Sequence, residues 1–456
     1  MRSDTSSSPF NSNDLPTASQ PLNVAVIGAG VSGLSAAVAL KSEGHRVVAF
    51  EKSDQLGGLW VYDPRAESDP LGLDPNREIV HGSLYRSLRT NIPRQMMGFC
   101  DYPFATRKNR DSRTFPGHVE VLEFLKQYAA DHGLADLIRL GTEVVRVERV
   151  ESGSGEWVVE SRKDELSSIE VFDAVVVCSG HHTIPRLADF PGMEKWPGKQ
   201  MHSHNYRVPE PFQDQIVVVI GSGPSARDIS LEISVVAKEV HLSSRSPNVK
   251  ISKLDCGFNM WQHSKIDHVN ESGEVVFQDG ASIRADIILH CTGYKFEFPF
   301  LKTEGIVTVD DNRVGPLYKH VFPPKLAPKL SFIGLSYNSG VVFLMVDLQA
   351  KWIAHVLSGK VNLPSEEEMM AEVEDHYRFL DEKGIPKHHT HNLFHKNITA
   401  SQLEYLDWVA CQVGLKGVDD QTRLVLQNYF QFWVENGGLN YRDWEFDHGF
   451  QQVCQS

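Results

Sequence analysis

Two glycine-rich loops constrain this chain more than any other feature, because each stands between a short apolar run and a segment of helical character. The first lies in LNVAVIGAGVSGLSAAVALKSEGHRVVAFEK, which begins at Leu22. Leu22 to Ile27 is too short for a helix and is bounded by glycine, so it reads as a strand buried in a parallel sheet. Val31 to Ser42 reads as a helix packed on that sheet, and Arg46 to Phe50 as the next strand. Between them Gly28, Gly30 and Gly33 form G-x-G-x-x-G. The first glycine permits a tight turn, the second lets a pyrophosphate approach the backbone, and the third allows close helix–strand packing. The helix N-terminus then offers unpaired amides to the anion. Glu51, at the end of the second strand, is placed to accept from ribose hydroxyls.

The second loop opens the segment QIVVVIGSGPSARDISLEISVVAKEVHLSSR, which begins at Gln215. Here the fingerprint is Gly221, Gly223 and Ala226, with Ser225 counted among the contacts at the helix start. Its following strand ends differently, on Ser243, Ser244 and Arg245. A guanidinium matches phosphate oxygens in a bidentate way, so Arg245 suits a ribose 2′-phosphate, and Arg227 is a second candidate for it. The expectation is FAD at the first site and NADPH at the second, with hydride passing between them. The predicted fold class is α/β, with two dinucleotide-binding, Rossmann-like domains and the NADPH domain inserted into a discontinuous FAD domain.

The expected boundaries are 1–20 for a polar, disordered tail, 21–210 for the first part of the FAD domain, and 211–325 for the NADPH domain. Residues 326–456 return to the FAD domain and carry the C-terminal helices. Residues 54–115, rich in Gly, Pro, Asp and Arg, form a long loop region, which in a compact protein is usually functional. A helix is expected over 117–132, strands over 143–149, 156–161 and 169–177, and a hairpin in VVFQDGASIRADIILHC.

Composition excludes several classes. A net charge of −14 argues against a nucleic-acid-coating surface. The six cysteines contain no C-x-x-C pair, which removes the dithiol flavoprotein reductases and favours a reducing compartment. The strongest apolar stretch, SGVVFLMVDLQAKWIAHVL, is interrupted by Asp347 and Lys351, so no membrane span is expected. No secretory or transit signal is visible in the first twenty residues, and the protein is expected in the cytoplasm. The sequence carries no marker of oligomeric state.

Between the two loops lies WPGKQMHSHNYR, which fits F-x-G-x-x-x-H-x-x-x-(F/Y) at Gly198, His202 and Tyr206, with Trp196 in the leading aromatic position. With this signature and both nucleotide motifs in order, the chain resembles the flavin-containing monooxygenases over most of its length after residue 21. Further segments carry the resemblance. EKSDQLGGLW is similar to the family's FAD-side loop and implies Gly58, Leu59 and Trp60, beside Gly57, as cofactor contacts. LHCTGY is similar to its strand-end segment and implies Thr292 and Gly293; VVCSGHHTIPR resembles the earlier C-x-G turn at Cys178 and Gly180. SLRTNIPRQMMGFCDYPF resembles the segment whose Asn lies beside the flavin, here Asn91. DLQAKW resembles the E-x-Q-x-x-W run, with Asp347 in place of Glu, which puts in question the hydrogen bond that carboxylate makes. The insert from Tyr62 to Leu84, the PKHHTHN segment and the lack of a hydrophobic C-terminal anchor look most like the plant S-oxygenases of the glucosinolate type.

The resemblance implies that NADPH reduces FAD and O2 adds at flavin C4a to give a hydroperoxide. Retained NADP+ protects it, and a thioether sulfur or an amine nitrogen takes the terminal oxygen. The protein then supplies orientation, hydrogen bonds and exclusion of water. Asn91 is the candidate catalytic residue, because an amide donates and accepts without changing charge. His202 reads as a structural hydrogen-bonding or NADP-side residue. No metal is expected from His388, His389 and His391, which have no partner ligands at zinc spacing. Cys291 and the aromatic positions Tyr405, Trp408, Tyr429, Phe430, Phe432 and Trp433 read as packing.

Two alternatives stand beside this reading. One is a relative acting on carbonyls, by Baeyer–Villiger insertion or on an auxin-type keto acid. The other is a non-catalytic dinucleotide-binding sensor, against which the intact Glu51, Arg245 and Asn91 argue.

Overall fold

The computed structural model describes residues 20–106, 110–150, 153, 155–246, 251–254, 259–337, 340–393, 400–435 and 442. The polar segment expected to be disordered lies outside them, apart from Gln20.

The first glycine loop sits at the end of the strand Asn23–Ile27, in the middle of a five-stranded sheet. In order across that sheet run Leu330–Phe332, Ala174–Val177, Asn23–Ile27, Arg46–Phe50 and Ile138–Arg139, all parallel. Alternation within the strands explains why they are apolar throughout. Val24, Val26, Val47 and Val176 join a core with Leu34, Ala37 and Leu40 of the helix Val31–Ser42. Ala25, Ile27, Val175 and Val177 face the other way, onto Val147, Trp157 and Phe172. Those three belong to an antiparallel sheet of Glu143–Arg149, Trp157–Lys163 and Leu166–Phe172. A strand buried on both faces has no polar side to present.

The second loop repeats this plan. Its sheet runs Ser252–Lys253, Met260–His263, Glu239–Ser243, Ile216–Ile220, Ile287–His290 and Lys199–His202. All neighbours are parallel except the first pair. Val217 and Val219 pack with Ile229 and Ile233 of the helix Pro224–Ser234. Val218 and Ile220 pack with Ile266, Val275 and Phe277 of a second three-stranded antiparallel sheet. Each parallel sheet is thus covered by a helix layer on one side and an antiparallel sheet on the other.

The expected helix over 117–132 forms as His118–Asp131. The expected strand over 169–177 is two strands, Leu166–Phe172 and Ala174–Val177. Asp173 makes the break: its carboxylate accepts the Asn23 N–H at 2.7 Å while its own N–H reaches Asn23 O at 2.9 Å, which turns the chain from one sheet into the other. The expected hairpin is confined to Glu274–Phe277 and Ser282–Arg284, and the residues after it enter the parallel sheet as Ile287–His290.

The boundaries expected at 210/211 and 325/326 do not follow the pairing. Lys199–His202 lies in the second sheet, while Phe296, Val314 and Leu317 lie in the core of the first. The chain passes between the two units through Ile184–Pro185 and Tyr294–Lys295, which pair with each other antiparallel. On this pairing we place the inserted unit between those two strands.

The helix Val342–Leu357 packs on the first nucleotide helix, and Glu366–Glu382, Ala400–Gln412 and Asp420–Glu435 complete the helical C-terminal part. Tyr405 and Tyr429 are buried and Trp408 packs against the core, as expected of them. The side chains of Phe430, Phe432 and Trp433 lie outside the description. Among the described residues no helix is long and apolar enough to cross a membrane.

Candidate functional site

At the first loop the three glycines meet three different demands. Gly28 has φ 107°, and a Cβ there would lie 2.6 Å from Cys178 O. A Cβ on Gly33 would lie 1.9 Å from Gly28 O, so the helix cannot seat on the strand with any side chain at that position. Gly30 faces Gly58, whose added Cβ would come within 2.9 Å of Gly30 Cα. The phosphate loop and the Gly58–Trp60 turn are therefore brought together, with Leu59 and Trp60 half-buried beside them. Glu51 is buried; its Oε2 accepts the Ala29 N–H at 2.8 Å and its Oε1 the Ser53 N–H at 2.9 Å. Each oxygen keeps a lone pair for a further donor. A backbone cradle bare of Cβ atoms, closed at one end by a buried carboxylate, fits the diphosphate and ribose of FAD.

The second loop repeats the geometry. Gly221 has φ 135°, and its added Cβ would lie 2.4 Å from Cys291 O, as Gly28 faces Cys178 O. Gly223 has nothing within 4 Å of a built Cβ, so the protein itself does not require glycine there. Open space at that position is what an approaching phosphate needs. Ser225 is exposed at the helix start and Ala226 is fully buried under it. Arg245 lies just past the strand that holds Gly221, whose N–H donates to Ser243 O at 3.0 Å. It is exposed and forms no ion pair among the described residues.

Thr292 and Gly293 follow Cys291 directly. The Thr292 hydroxyl donates to the Arg186 carbonyl, and Gly293 O accepts the Arg186 N–H at 2.9 Å, so both hold the link between the units. Burial pushes the Cys291 thiol up to about 12, as befits a packed group. Asn91 is exposed, and its carbonyl accepts the Tyr429 hydroxyl. Next to it, Arg442 donates to Thr90 O at 3.0 Å and pairs with Asp228, on the helix of the second unit. The Asn91 segment is thereby fastened to the second nucleotide helix.

The signature residues sit at this junction. The Trp196 ring folds over Gly198, where a Cβ would come within 2.2 Å of it. His202 is fully buried; its Nδ1 accepts the His204 N–H at 3.0 Å and its ring meets Tyr294 edge-on at 5.1 Å. Burial pushes its imidazole down to about 3, which favours the neutral ring. His388 pairs with Asp311 at 2.8 Å, His389 faces Tyr337 Oη at 3.2 Å, and His391 Nε2 accepts the Val314 N–H at 3.1 Å. Each points to its own partner, and no group of metal-ligating side chains among the described residues could hold an ion.

The sequence reading missed what the long insert does. Glu67 is buried and accepts from Arg77 Nε at 2.6 Å, His204 Nε2 at 3.2 Å and the Val80 N–H at 3.1 Å. Arg207 donates to the carbonyls of Asp63 at 2.7 Å and Gly82 at 2.9 Å. An acid inside a Gly/Pro-rich stretch was the available signal, but Glu67 and His204 lie 137 residues apart, and Arg207 and Asp63 144.

Two nucleotide cradles, one inserted into the unit that carries the other, define a two-domain flavoprotein oxidoreductase. The chain belongs to the flavin-binding monooxygenase-like family, whose model matches residues 22–260 and 252–428. It is 51% identical over 435 residues to flavin-containing monooxygenase FMO GS-OX5 of Arabidopsis thaliana, covering 94% of this chain and 92% of that one. The structure of S-allyl-L-cysteine S-oxygenase from Allium sativum superposes with a TM-score of 0.89 at 49% identity, over 94% of this chain and 96% of the other. Cyclohexanone monooxygenase from Rhodococcus, solved with NADP+, shares the fold at a TM-score of 0.57 and 15% identity, over 87% and 98%.

Proposed function

We propose that this protein is an NADPH- and O2-dependent flavin monooxygenase that converts a small thioether to its sulfoxide. The observation that carries the cofactor assignment is the difference between two otherwise like units. One ends its second strand on the buried carboxylate of Glu51, suited to an unphosphorylated ribose. The other ends on the exposed guanidinium of Arg245, suited to a 2′-phosphate. FAD bound at the first site supplies the chemistry of reducing and transferring oxygen.

The chain's own residues bind and orient. Gly28, Gly30, Gly33, Gly58, Leu59 and Trp60 form the flavin-side cradle, and Gly221, Gly223, Ser225 and Ala226 the NADPH cradle, with Arg245 on the 2′-phosphate. Thr292 and Gly293 hold the link beside it. Asn91 presents an exposed amide where the two units meet, able to donate and accept next to the flavin without changing charge. No nucleophile or acid–base pair of the protein is required for oxygen transfer to sulfur. Sulfur as the acceptor is supported by the likeness to the garlic S-oxygenase at 49% identity over nearly the whole of both chains. The cytoplasm is the compartment assigned, on scattered cysteines that contain no C-x-x-C pair.

The test is turnover of the purified yellow protein with NADPH. S-allyl-L-cysteine, methyl p-tolyl sulfide, an amine, a cyclic ketone and an indole keto acid are offered, and products carrying one added oxygen are sought by mass. Sulfoxide is expected. Product from the ketone or keto acid alone would overturn the assignment.

A further inference from the structure

The insert Tyr62–Leu84 belongs by sequence to the first unit, yet its buried bonds run to the segment that forms the edge strand of the second. Glu67 gives the clearest case. Its carboxylate only accepts, so His204 donates from Nε2 at 3.2 Å alongside Arg77 at 2.6 Å. Its backbone N–H donates to Asn205 Oδ1 at 2.8 Å, and Asn205 Nδ2 reaches back to Asp69 O at 3.3 Å. His202, in the strand Lys199–His202, donates its N–H to Pro70 O at 2.9 Å. A Cβ on Gly72 would lie 2.9 Å from the ring of Pro185, on the link strand itself. On the other link strand, Tyr294 is met edge-on by His182 at 5.2 Å, His202 at 5.1 Å and His204 at 5.9 Å.

The paired link strands alone would let the units swing about a narrow ribbon. The insert adds a buried attachment beside that ribbon, besides the Arg442–Asp228 pair at the Asn91 segment. We propose that Glu67 is a positioning residue: acting through His204, Arg77 and Asn205, it fixes the angle between the two nucleotide units. It thereby governs how closely NADPH is held against the flavin. Reactions between two bound groups are steeply sensitive to such placement, and burying the carboxylate among fixed donors makes the attachment stiff.

This rests on the monooxygenase reading, and the test separates the two. The FAD-loaded protein and its Glu67→Gln and Asn205→Ala variants are compared for flavin content, KM for NADPH, and NADPH oxidation without any thioether. The last is read as hydrogen peroxide, in which the two electrons of NADPH and two protons end on O2. Glu67→Gln is expected to keep its flavin, raise KM for NADPH about fivefold or more, and raise the peroxide leak by a similar factor, with Asn205→Ala moving both in the same direction. Asn205→Ala keeps the Glu67–Arg77 pair and so leaves no buried charge unpaired; it decides the matter should Glu67→Gln fail to fold. Variants that lose thermal stability while KM and leak stay at the wild-type values would overturn the proposal. Failure of the wild type to form any sulfoxide would instead count against the thioether assignment and leave the leak comparison standing.

Discussion

The Asp347 carboxylate accepts the Ser35 hydroxyl at 2.7 Å, joining a helix near the C-terminal end of the fold to the first nucleotide helix. Its other oxygen accepts the Cys100 N–H at 2.9 Å and lies 3.3 Å from Lys351 Nζ. The aspartate that stands in a glutamate position of the family pattern thus makes its bonds despite the missing methylene. Asp347→Ala orphans a buried hydroxyl and an amide, each worth about 1–3 kcal/mol. Thermal unfolding should shift to lower temperature and flavin content should fall; an unchanged midpoint would remove Asp347 from this role.

The glycines separate by what surrounds them. Gly33→Ala would place a Cβ 1.9 Å from Gly28 O and should leave no soluble protein. Gly223→Ala meets nothing within 4 Å, so it should fold and bind FAD normally while KM for NADPH rises about tenfold, the equivalent of about 1.4 kcal/mol. Equal behaviour of the two variants in expression and coenzyme kinetics would contradict this division.

Glu51→Ala removes the acceptor of the Ala29 and Ser53 amides as well as the expected ribose contact. Losing about 1–3 kcal/mol corresponds to FAD affinity weakened by roughly tenfold or more. Titrating FAD into the stripped variant reads this directly, and wild-type affinity would exclude Glu51 from the site.

Arg245→Ala should raise KM for NADPH by about ten- to a hundredfold, as expected for hydrogen bonds to a charged group worth about 1.5–3 kcal/mol. NADH, lacking the 2′-phosphate, should be unaffected. An equal loss with both coenzymes would move the phosphate contact to another residue, Arg227 being the next to test.

Acid should destabilise the fold before carboxylates titrate. Burial pushes His202 and His391 down to about 3 and His290 to about 4, against about 6.5 in an unfolded chain. Between those values the unfolded chain binds more protons. The stability these groups contribute is therefore full above about pH 6.5 and is lost as pH falls toward the folded values. The unfolding free energy read from urea titration should decline from pH 6.5 to 4, by up to about 1.4 kcal/mol per pH unit for each histidine. His290→Gln should make that decline shallower; a flat profile in the wild type would show these rings to be hydrated.

What the sequence determined by itself was local. The run Asn23–Ile27, the helix Val31–Ser42 and the strand Arg46–Phe50 lie within a residue of where the pattern put them, because loop glycines and continuous apolar runs are short-range constraints. The glycine turns at Gly28, Gly33 and Gly221 were legible for the same reason: a tight turn or a close backbone approach needs glycine at fixed spacing. Tertiary structure alone decided the rest. Asp173 splits an apparently continuous strand by bonding to Asn23, and Lys199–His202 joins the second sheet only because Ile287–His290 lies beside it. Glu67 and Asp347 act on partners that no spacing rule connects to them. Pairings between segments distant in sequence depend on which surfaces the whole fold brings together, and a one-dimensional pattern does not encode that.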